Sequence, residues 1–291
     1  MHIGVVLPQT EIGADTAAIR RYARRVDELG YHHVMVYDHV LGADPEFHAP
    51  WTGSYDVRTT FREPMVLYGY LAALTELELV TGVLVLPQRQ TALVAKQAAE
   101  VDLLTGGRFR LGVGVGWNGV EYEALGKRFR DRGRRSDEQV ALLRRLWTEE
   151  IVTFAGEHEQ VTAAGIAPLP VQRPIPVWFG AHSAAAYRRA GRLGDGWFPE
   201  MAPGPALDEA IAIIEESARD AGRDPADIGM HARGRWKGDL DGLVAEIRAW
   251  RDKRATHLAV DTMRQGLTTV DDHLDVLERV AEELRLADLP R

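Results

Sequence analysis

A buried strand, a helix and a second buried strand follow one another without interruption in the middle of the chain. Residues 79–86 are almost entirely apolar and show no alternation, which is typical of a strand covered on both faces. Residues 92–104 then carry apolar side chains at the period of a helix, and the Thr-Gly-Gly sequence at 105–107 favours a helix C-terminus. A second strand at 109–115 returns parallel to the first. Parallel strands need helices on both faces of the sheet, so the chain is predicted to be an α/β protein.

The same alternation continues along the chain. Eight segments have the composition of strands, and each is followed by a helical or helix-like segment: 3–7, 33–37, 79–86, 109–115, 176–179, 195–200, 227–236 and 256–263. With 291 residues, this count favours one (β/α)8 TIM barrel domain over residues 1–291. A doubly wound dinucleotide fold lacks its fingerprint, because the glycines at 112, 114 and 116 alternate inside a strand and do not open a helix.

Two local features modify this regular pattern. The segment 150–175 is punctuated by proline and glycine and has no helical period, which predicts an insertion before strand five that forms a small hairpin. Residues 136–139 have the form of a capping box, which predicts that the next helix begins there.

Charge and composition exclude several classes of protein. The net charge of -8 argues against a nucleic-acid partner and against an anionic membrane surface, and the absence of cysteine excludes disulfides and thiolate chemistry. No apolar run approaches the roughly 20 residues that span a bilayer, and the chain enters its first strand without a leader. We expect a cytoplasmic protein that acts on a small molecule.

The histidines show no spacing that suits a metal. Neighbouring His32 and His33 lie on opposite faces of a strand, and no paired ligands occur at useful separations, so we predict no metal site. Four further histidines are expected to be scattered through the fold: His48, His158, His231 and His257.

Four segments, in this order and spacing, resemble one known family. They are Asp38-His39 after strand two, VTGVLVLPQRQTALVAKQAAEVDLLTGGRFRLGVGVGW, RGRRSDE, and PIPVWFGAHSAAAYRRAGRLGDGW. Together they resemble the bacterial luciferase-like monooxygenase superfamily and, within it, the F420-dependent oxidoreductase branch. The resemblance covers residues 3–199 and more loosely the rest. It implies a homodimeric barrel that transfers a hydride between a deazaflavin, coenzyme F420, and a small organic substrate.

Two alternatives remain at this point. One is a monooxygenase that uses reduced flavin mononucleotide (FMN) and oxygen, since FMN enzymes share the barrel and much of the pattern. The other is a barrel that binds a flavin or deazaflavin without catalysing a reaction.

The resemblance also implies where the cofactor ring lies. In this superfamily a cis peptide at the position of Gly82-Val83 bulges against the ring; the alternative is that Gly82 only relieves crowding inside the barrel. Gly114 and Gly116, with Gly112, leave one strand face bare, which suits a large ligand. The alternative for these three glycines is tight packing of the barrel core.

Strand ends supply the candidate polar groups. The turn Gly180-Ala181-His182-Ser183 precedes a helix and is implied to hold the cofactor phosphate, although Ser183 alone is also explained as a helix N-cap. Asp38 is a candidate to hydrogen-bond the cofactor. His39 is the candidate catalytic residue, because a histidine exchanges protons near neutral pH. A purely structural Asp-His pair is the alternative.

The long loop 41–62 is predicted to cover the site, because loops of this length in barrels usually bind ligands. Trp51 and Tyr55 within it suggest an apolar or aromatic substrate, whereas Arg58 and Arg62 suggest an anionic group. Solvent-exposed arginines with no role in binding are the alternative.

Overall fold

A computed structural model describes residues 1–288 and contains eleven strands and ten α-helices within them. The strands are β1 (His2–Val6), β2 (His33–Val36), β3 (Glu78–Thr81), β4 (Leu84–Val85), β5 (Phe109–Gly114), β6 (Val152–Ala155), β7 (Gln160–Ala164), β8 (Val177–Ala181), β9 (Gly196–Pro199), β10 (Gly229–Arg235) and β11 (His257–Asp261). The helices are α1 (Gln9–Ile12), α2 (Thr16–Glu28), α3 (Pro64–Ala72), α4 (Thr91–Leu104), α5 (Gly119–Ala124), α6 (Arg132–Thr148), α7 (Ala184–Leu193), α8 (Pro205–Asp220), α9 (Leu240–Asp252) and α10 (Val270–Leu284).

The parallel strands close into a barrel. Neighbouring strands run in the order β3-β2-β1-β11-β10-β9-β8-β5, and β5 pairs back with β3. β4 continues the position of β3 beside β5, so β3 and β4 together count as one of eight barrel strands. The predicted (β/α)8 TIM barrel is therefore confirmed. β6 and β7 form an antiparallel hairpin just before β8, which confirms the predicted insertion.

The break between β3 and β4 falls at Gly82 and Val83, whose peptide bond is cis as the sequence resemblance implied. Because parallel strands place their carboxyl ends at one rim, this segment lies beside the residues that follow β2, β5 and β8. That rim is called the barrel mouth below. No helix among residues 1–288 combines the length and the hydropathy that a membrane crossing requires.

The predicted start of the sixth helix was wrong. α6 begins at Arg132, one turn earlier than the capping-box pattern indicated, and Ser136 is fully buried inside it. The buried face extends backward through polar residues, which an apolar period does not reveal. Gln139 on this face donates to the Leu86 and Arg89 carbonyls and to Thr91 Oγ1, at 3.3, 3.2 and 2.9 Å. α6 is thereby bonded to the chain that follows β4.

The expectation that the histidines are scattered was also wrong for His231 and His257. His33 and His231 are buried at the N-terminal end of the barrel with their Nε2 atoms 3.0 Å apart. The ring of His257 lies 6.0 and 5.8 Å from theirs, and His2 stacks on His257 at 5.0 Å. The cause is register, because His2, His231 and His257 are direct partners on neighbouring parallel strands. Within the described residues, no group of three histidine or acidic side chains is arranged to hold a metal ion.

This histidine cluster predicts that the fold is sensitive to acid. Burial, together with the nearby charge of Arg110, lowers the pKa of His33 and His231 far below 6.5 and that of His257 to about 2. The unfolded chain therefore binds more protons than the folded chain below pH 6.5. Stability falls as the pH drops, by up to roughly 1.4 kcal/mol per pH unit for each histidine.

Urea unfolding at about pH 7 and about pH 5 measures this effect. We expect the His231→Asn variant to lose less free energy of unfolding between these two pH values than the wild type. The exposed His182→Asn variant is the control and should match the wild type. An equal loss in all three proteins would contradict the assignment.

Candidate active site

The residue after β2 that was predicted to be catalytic lies in a hydrogen-bonded pair. His39 Nδ1 is 3.2 and 3.3 Å from the two carboxylate oxygens of Glu121, which α5 supplies from the other side of the mouth. Glu121 also accepts bonds from the backbone N–H groups of Val40 and Leu41, at 2.8 and 3.3 Å, and from Gln88 Nε2 at 3.4 Å. Its side chain is only 1% exposed. A buried carboxylate therefore holds the histidine and the start of the following loop.

The electrostatics of this pair determine which nitrogen of His39 is available. Burial opposes the charge of Glu121, but its bond to His39 and the two backbone N–H groups keep the pKa of Glu121 below its usual value. The ionised carboxylate accepts the Nδ1 proton, so neutral His39 carries its lone pair on Nε2. The rings of Phe61, Tyr55 and Trp117 surround the imidazole with centroids at 4.8, 5.3 and 5.6 Å.

The structure places Asp38 away from the open surface of the mouth. Its side chain is 1% exposed; one carboxylate oxygen accepts from Arg89 and the other from the Val85 N–H, at 2.8 and 3.0 Å. Arg89 also binds Glu63 at 2.8 Å, which caps α3. Burial raises the pKa of Asp38 despite this partner. Asp38 thus joins the end of β2 to β4, and its predicted bond to a cofactor stays a prediction.

Gly82, Val83, Gly114 and Gly180 lie together at the mouth, and their contact with a cofactor stays a prediction. Val83 is half-buried and sits between two glycines of adjacent strands. A Cβ added at Gly114 would lie 2.4 Å from Val83 Cγ2, and one added at Gly180 would lie 3.1 Å from Val83 Cγ1. The two glycines therefore provide the space in which the Val83 side chain sits at the mouth.

Core packing also explains two further glycines, Gly112 in β5 and Gly116 in the link that follows this strand. A Cβ at Gly112 would meet the Thr81 carbonyl oxygen at 1.9 Å. Gly116 has a φ of +65° and would meet Val85 Cγ1 at 2.6 Å. The β3–β4 segment thus occupies the strand face that the glycines leave without side chains. This agrees with the alternative of tight packing in the barrel core.

The turn after β8 forms an open helix N-terminus. Ser183 caps α7 by accepting from the Ala186 N–H at 3.4 Å, as one of the two sequence interpretations indicated. Ala181 is buried, whereas His182 and Ser183 are exposed. The exposed amides of Ala184 and Ala185 have no acceptor in residues 1–288. Such free N–H groups at a helix start form a site for an anion.

The loop 41–62 lies over the mouth and is fastened at several points. Trp51 Nε1 donates to the Tyr55 carbonyl at 3.2 Å, and Arg264 donates to the Ser54 carbonyl at 2.9 Å while its guanidinium lies 5.3 Å from the Tyr55 ring centre. Arg62 donates to the Gly13 carbonyl and to Thr16 Oγ1. Arg62 therefore anchors the loop to α1 and α2 rather than lining the site.

Two cavities open beneath this loop. One of about 290 Å³ is lined by His39, Tyr55, Phe61 and Trp117 among others, and one of about 380 Å³ adjoins it at Trp117 and Asn118. Arg58 lines neither cavity; it is 68% exposed beside Glu46 and Asp56. A larger cavity of about 580 Å³ lies outside the barrel between α2 and α10 and contains none of the predicted site residues.

Several residues at the mouth were not predicted from the sequence. Glu121 and Arg89 act through partners 82 and 51 positions away. A polar group at the ends of β2, β9, β10 and β11 was also missed, in which Arg233 donates to Tyr37 Oη at 3.0 Å and to Glu200 at 3.2 Å and lies 3.8 Å from Asp261. The sequence signal for this polar group was the pair of arginines at alternate positions of the strand HARGR, where an inward-facing side chain is usually apolar.

Comparison with known proteins gives consistent matches. The family model of luciferase-like monooxygenases matches residues 1–236. An uncharacterised protein of Mycobacterium tuberculosis is 36% identical over 203 residues, which are 69% of this chain and 67% of the relative. An F420-dependent glucose-6-phosphate dehydrogenase of Amycolatopsis mediterranei is 32% identical over 71% of this chain and 61% of the relative.

Two further matches are named for different cofactors, one for FMNH₂ and the other for F420. An FMNH₂-dependent dimethylsulfone monooxygenase of Pseudomonas putida is 33% identical over 51% of this chain and 42% of the relative. The solved structure of an F420-dependent secondary alcohol dehydrogenase, in complex with an F420-acetone adduct, has a TM-score of 0.79. It is 18% identical and covers 96% of this chain and 97% of its own, so it supports the fold.

Proposed function

The chain belongs to the luciferase-like monooxygenase family, and from that premise we propose that it is an F420-dependent oxidoreductase that transfers a hydride to or from a small organic substrate. The observation that carries the proposal is the arrangement around Gly180. This residue makes room for Val83 on one side, and the open amides of Ala184 and Ala185 follow it on the other. An apolar surface for a flat ring and a site for a phosphate are thus offered at one mouth.

Val83, the start of α7 and the His39–Glu121 pair each have a defined part in this proposal. Val83 supports the ring, and Ala184 and Ala185 donate to the phosphate. When bound, the deazaflavin supplies a carbon that gives or takes a hydride in a two-electron step. His39, held by Glu121, takes up or releases the accompanying proton at Nε2. The aromatic loop excludes water from this position.

A flavin monooxygenase is the second candidate, and the Pseudomonas putida relative favours it. The supports described above are backbone and apolar groups, which by themselves do not distinguish the two rings. We prefer F420 as the cofactor because relatives that match a larger share of this chain have F420 in their names.

Titration of the purified protein with each cofactor tests the proposal, with binding followed by the change in cofactor fluorescence. We expect coenzyme F420 to bind at least about tenfold more tightly than FMN, a difference of about 1.4 kcal/mol. Tight binding of FMN with no binding of F420 would refute it.

A pair of variants shows where the phosphate binds. Ala185→Glu places a negative charge at the start of α7, where it stabilises the helix but repels a phosphate. Ala185→Gln is the uncharged control of similar size. F420 affinity should fall with the glutamate and stay near the wild-type value with the glutamine; equal effects of the two would place the phosphate elsewhere.

A further inference from the structure

The cleft between loop 41–62 and the β5–α5 link lies at the barrel mouth and is lined by aromatic and polar side chains. Its two adjoining cavities, of about 290 and 380 Å³, share Trp117 and Asn118 as a common wall. His39 lines the first cavity. A molecule in this cleft is therefore in reach of the histidine that the proposed function assigns to proton transfer.

Five ring side chains are among the residues that line the cleft: His39, Trp51, Tyr55, Phe61 and Trp117. Tyr55, Phe61 and Trp117 pack around His39, and Trp51 lies 5.7 Å from Trp117. Trp117 is 41% exposed although it is a large apolar residue. Aromatic walls with an exposed indole favour a ligand that buries hydrocarbon or a ring face.

The charges around the cleft disfavour an anionic ligand. Among residues 1–288, no lysine or arginine lines either cavity, whereas the acidic side chain of Asp56 does. The arginines of the neighbourhood have other partners: Arg58 lies beside Asp56 and Glu46, and Arg264 is bonded to the Ser54 carbonyl. A phosphate placed here would lack a cation and would lie near a carboxylate, which costs binding free energy.

We infer that this cleft binds a neutral molecule with a hydrocarbon ring and one hydroxyl or carbonyl group directed at His39 Nε2. The inference rests on the proposed function for the position of the reacting group. It separates this chain from a sugar-phosphate enzyme, the activity named for the Amycolatopsis mediterranei relative. The polar group is assigned to His39 Nε2, because Asn118 in the same lining is buried and already bonded to the Leu41 carbonyl and the Val120 N–H.

Calorimetric titration of the F420-loaded protein with three probes tests the inference. The probes are 1-phenylethanol, the charged aromatic compound phenyl phosphate, and glucose 6-phosphate. We expect 1-phenylethanol to bind at least about tenfold more tightly than either phosphate, and the Trp117→Ala variant to lose about tenfold of that affinity. Phe47→Ala is the matched control, because Phe47 is 83% exposed on the same loop and lines neither cavity.

A gain of binding provides the second arm. Val57 lines the first cavity and is 59% exposed, so Val57→Arg adds the missing cation at the cleft and should increase the affinity for phenyl phosphate. Val171→Arg adds the same charge beside Gly107, at the other end of the barrel, and should not.

The outcomes separate this inference from the proposed function. If F420 binds while a phosphate probe matches or exceeds 1-phenylethanol, or while 1-phenylethanol does not bind, the substrate inference is overturned and the cofactor proposal stands. If F420 does not bind but the unloaded protein still takes 1-phenylethanol in a Trp117-dependent way, the cleft assignment holds and the proposed function fails.

Discussion

The His39→Ala variant is expected to keep the cofactor and to slow the single-turnover oxidation of the bound, reduced deazaflavin by about 10²–10⁴-fold. Hydride transfer to a carbonyl leaves an alkoxide-like centre that must collect a proton. His39 is positioned for this, because it lines the cavity and Glu121 binds its Nδ1, which leaves Nε2 to exchange the proton. Positioned proton transfer of this kind contributes a rate factor of that size.

Stopped-flow mixing of the reduced, loaded protein with acetophenone measures the rate, and a parallel fluorescence titration measures cofactor affinity. The Glu121→Gln variant is the companion, since it keeps the side-chain volume and replaces the carboxylate that accepts the Nδ1 proton of His39. We expect it to slow the same step with cofactor affinity unchanged, because the amide no longer fixes Nε2 as the free nitrogen. An unchanged chemical step in His39→Ala, together with weaker cofactor binding, would show that His39 only packs against the ring.

The Arg89→Ala variant is expected to lower the free energy of unfolding by about 3–5 kcal/mol. Arg89 is the charged partner of Asp38, whose side chain is 1% exposed, and its loss leaves a buried carboxylate without a counter-ion. The same change loosens the bond between Asp38 and the Val85 N–H, and so the support of Val83. Cofactor affinity should therefore fall in the fraction that remains folded.

Urea unfolding of Arg89→Ala beside Arg58→Ala measures the effect. Arg58 is 68% exposed and its ion pairs are long, so its removal should cost about 1 kcal/mol or less. Similar small losses in both variants would mean that Asp38 does not depend on Arg89. A measurable drop in F420 affinity for Arg89→Ala only would tie the ion pair to the mouth.

The barrel could be predicted from sequence because its signals are local. Unalternating apolar strands between helical periods require a parallel sheet, and the irregular segment before β8 marks the hairpin. The start of α6 was predicted too late because the first buried residues of this helix, Ser136 and Gln139, are polar. Polar residues that are satisfied by distant carbonyls give no local hydrophobic signal.

The site was only partly predictable because its contacts are long-range. Glu121 reaches His39 across 82 residues, and His2, His231 and His257 meet only through strand register. The alternating glycines correctly indicated missing side chains, but not that Thr81, Val83 and Val85 occupy the space. Arg62 likewise reads as a free cation in sequence, whereas in the fold its guanidinium is bonded to Gly13 and Thr16.

The central claim is that the mouth binds a deazaflavin between Val83 and the N-terminus of α7, beside His39. A crystal structure of the protein grown with coenzyme F420 tests this most directly. We expect density for the ring against Val83 and for the phosphate within hydrogen-bond distance of the Ala184 and Ala185 amides. Density for the cofactor elsewhere on the protein, or a mouth that takes up FMN when both cofactors are supplied, would contradict the claim.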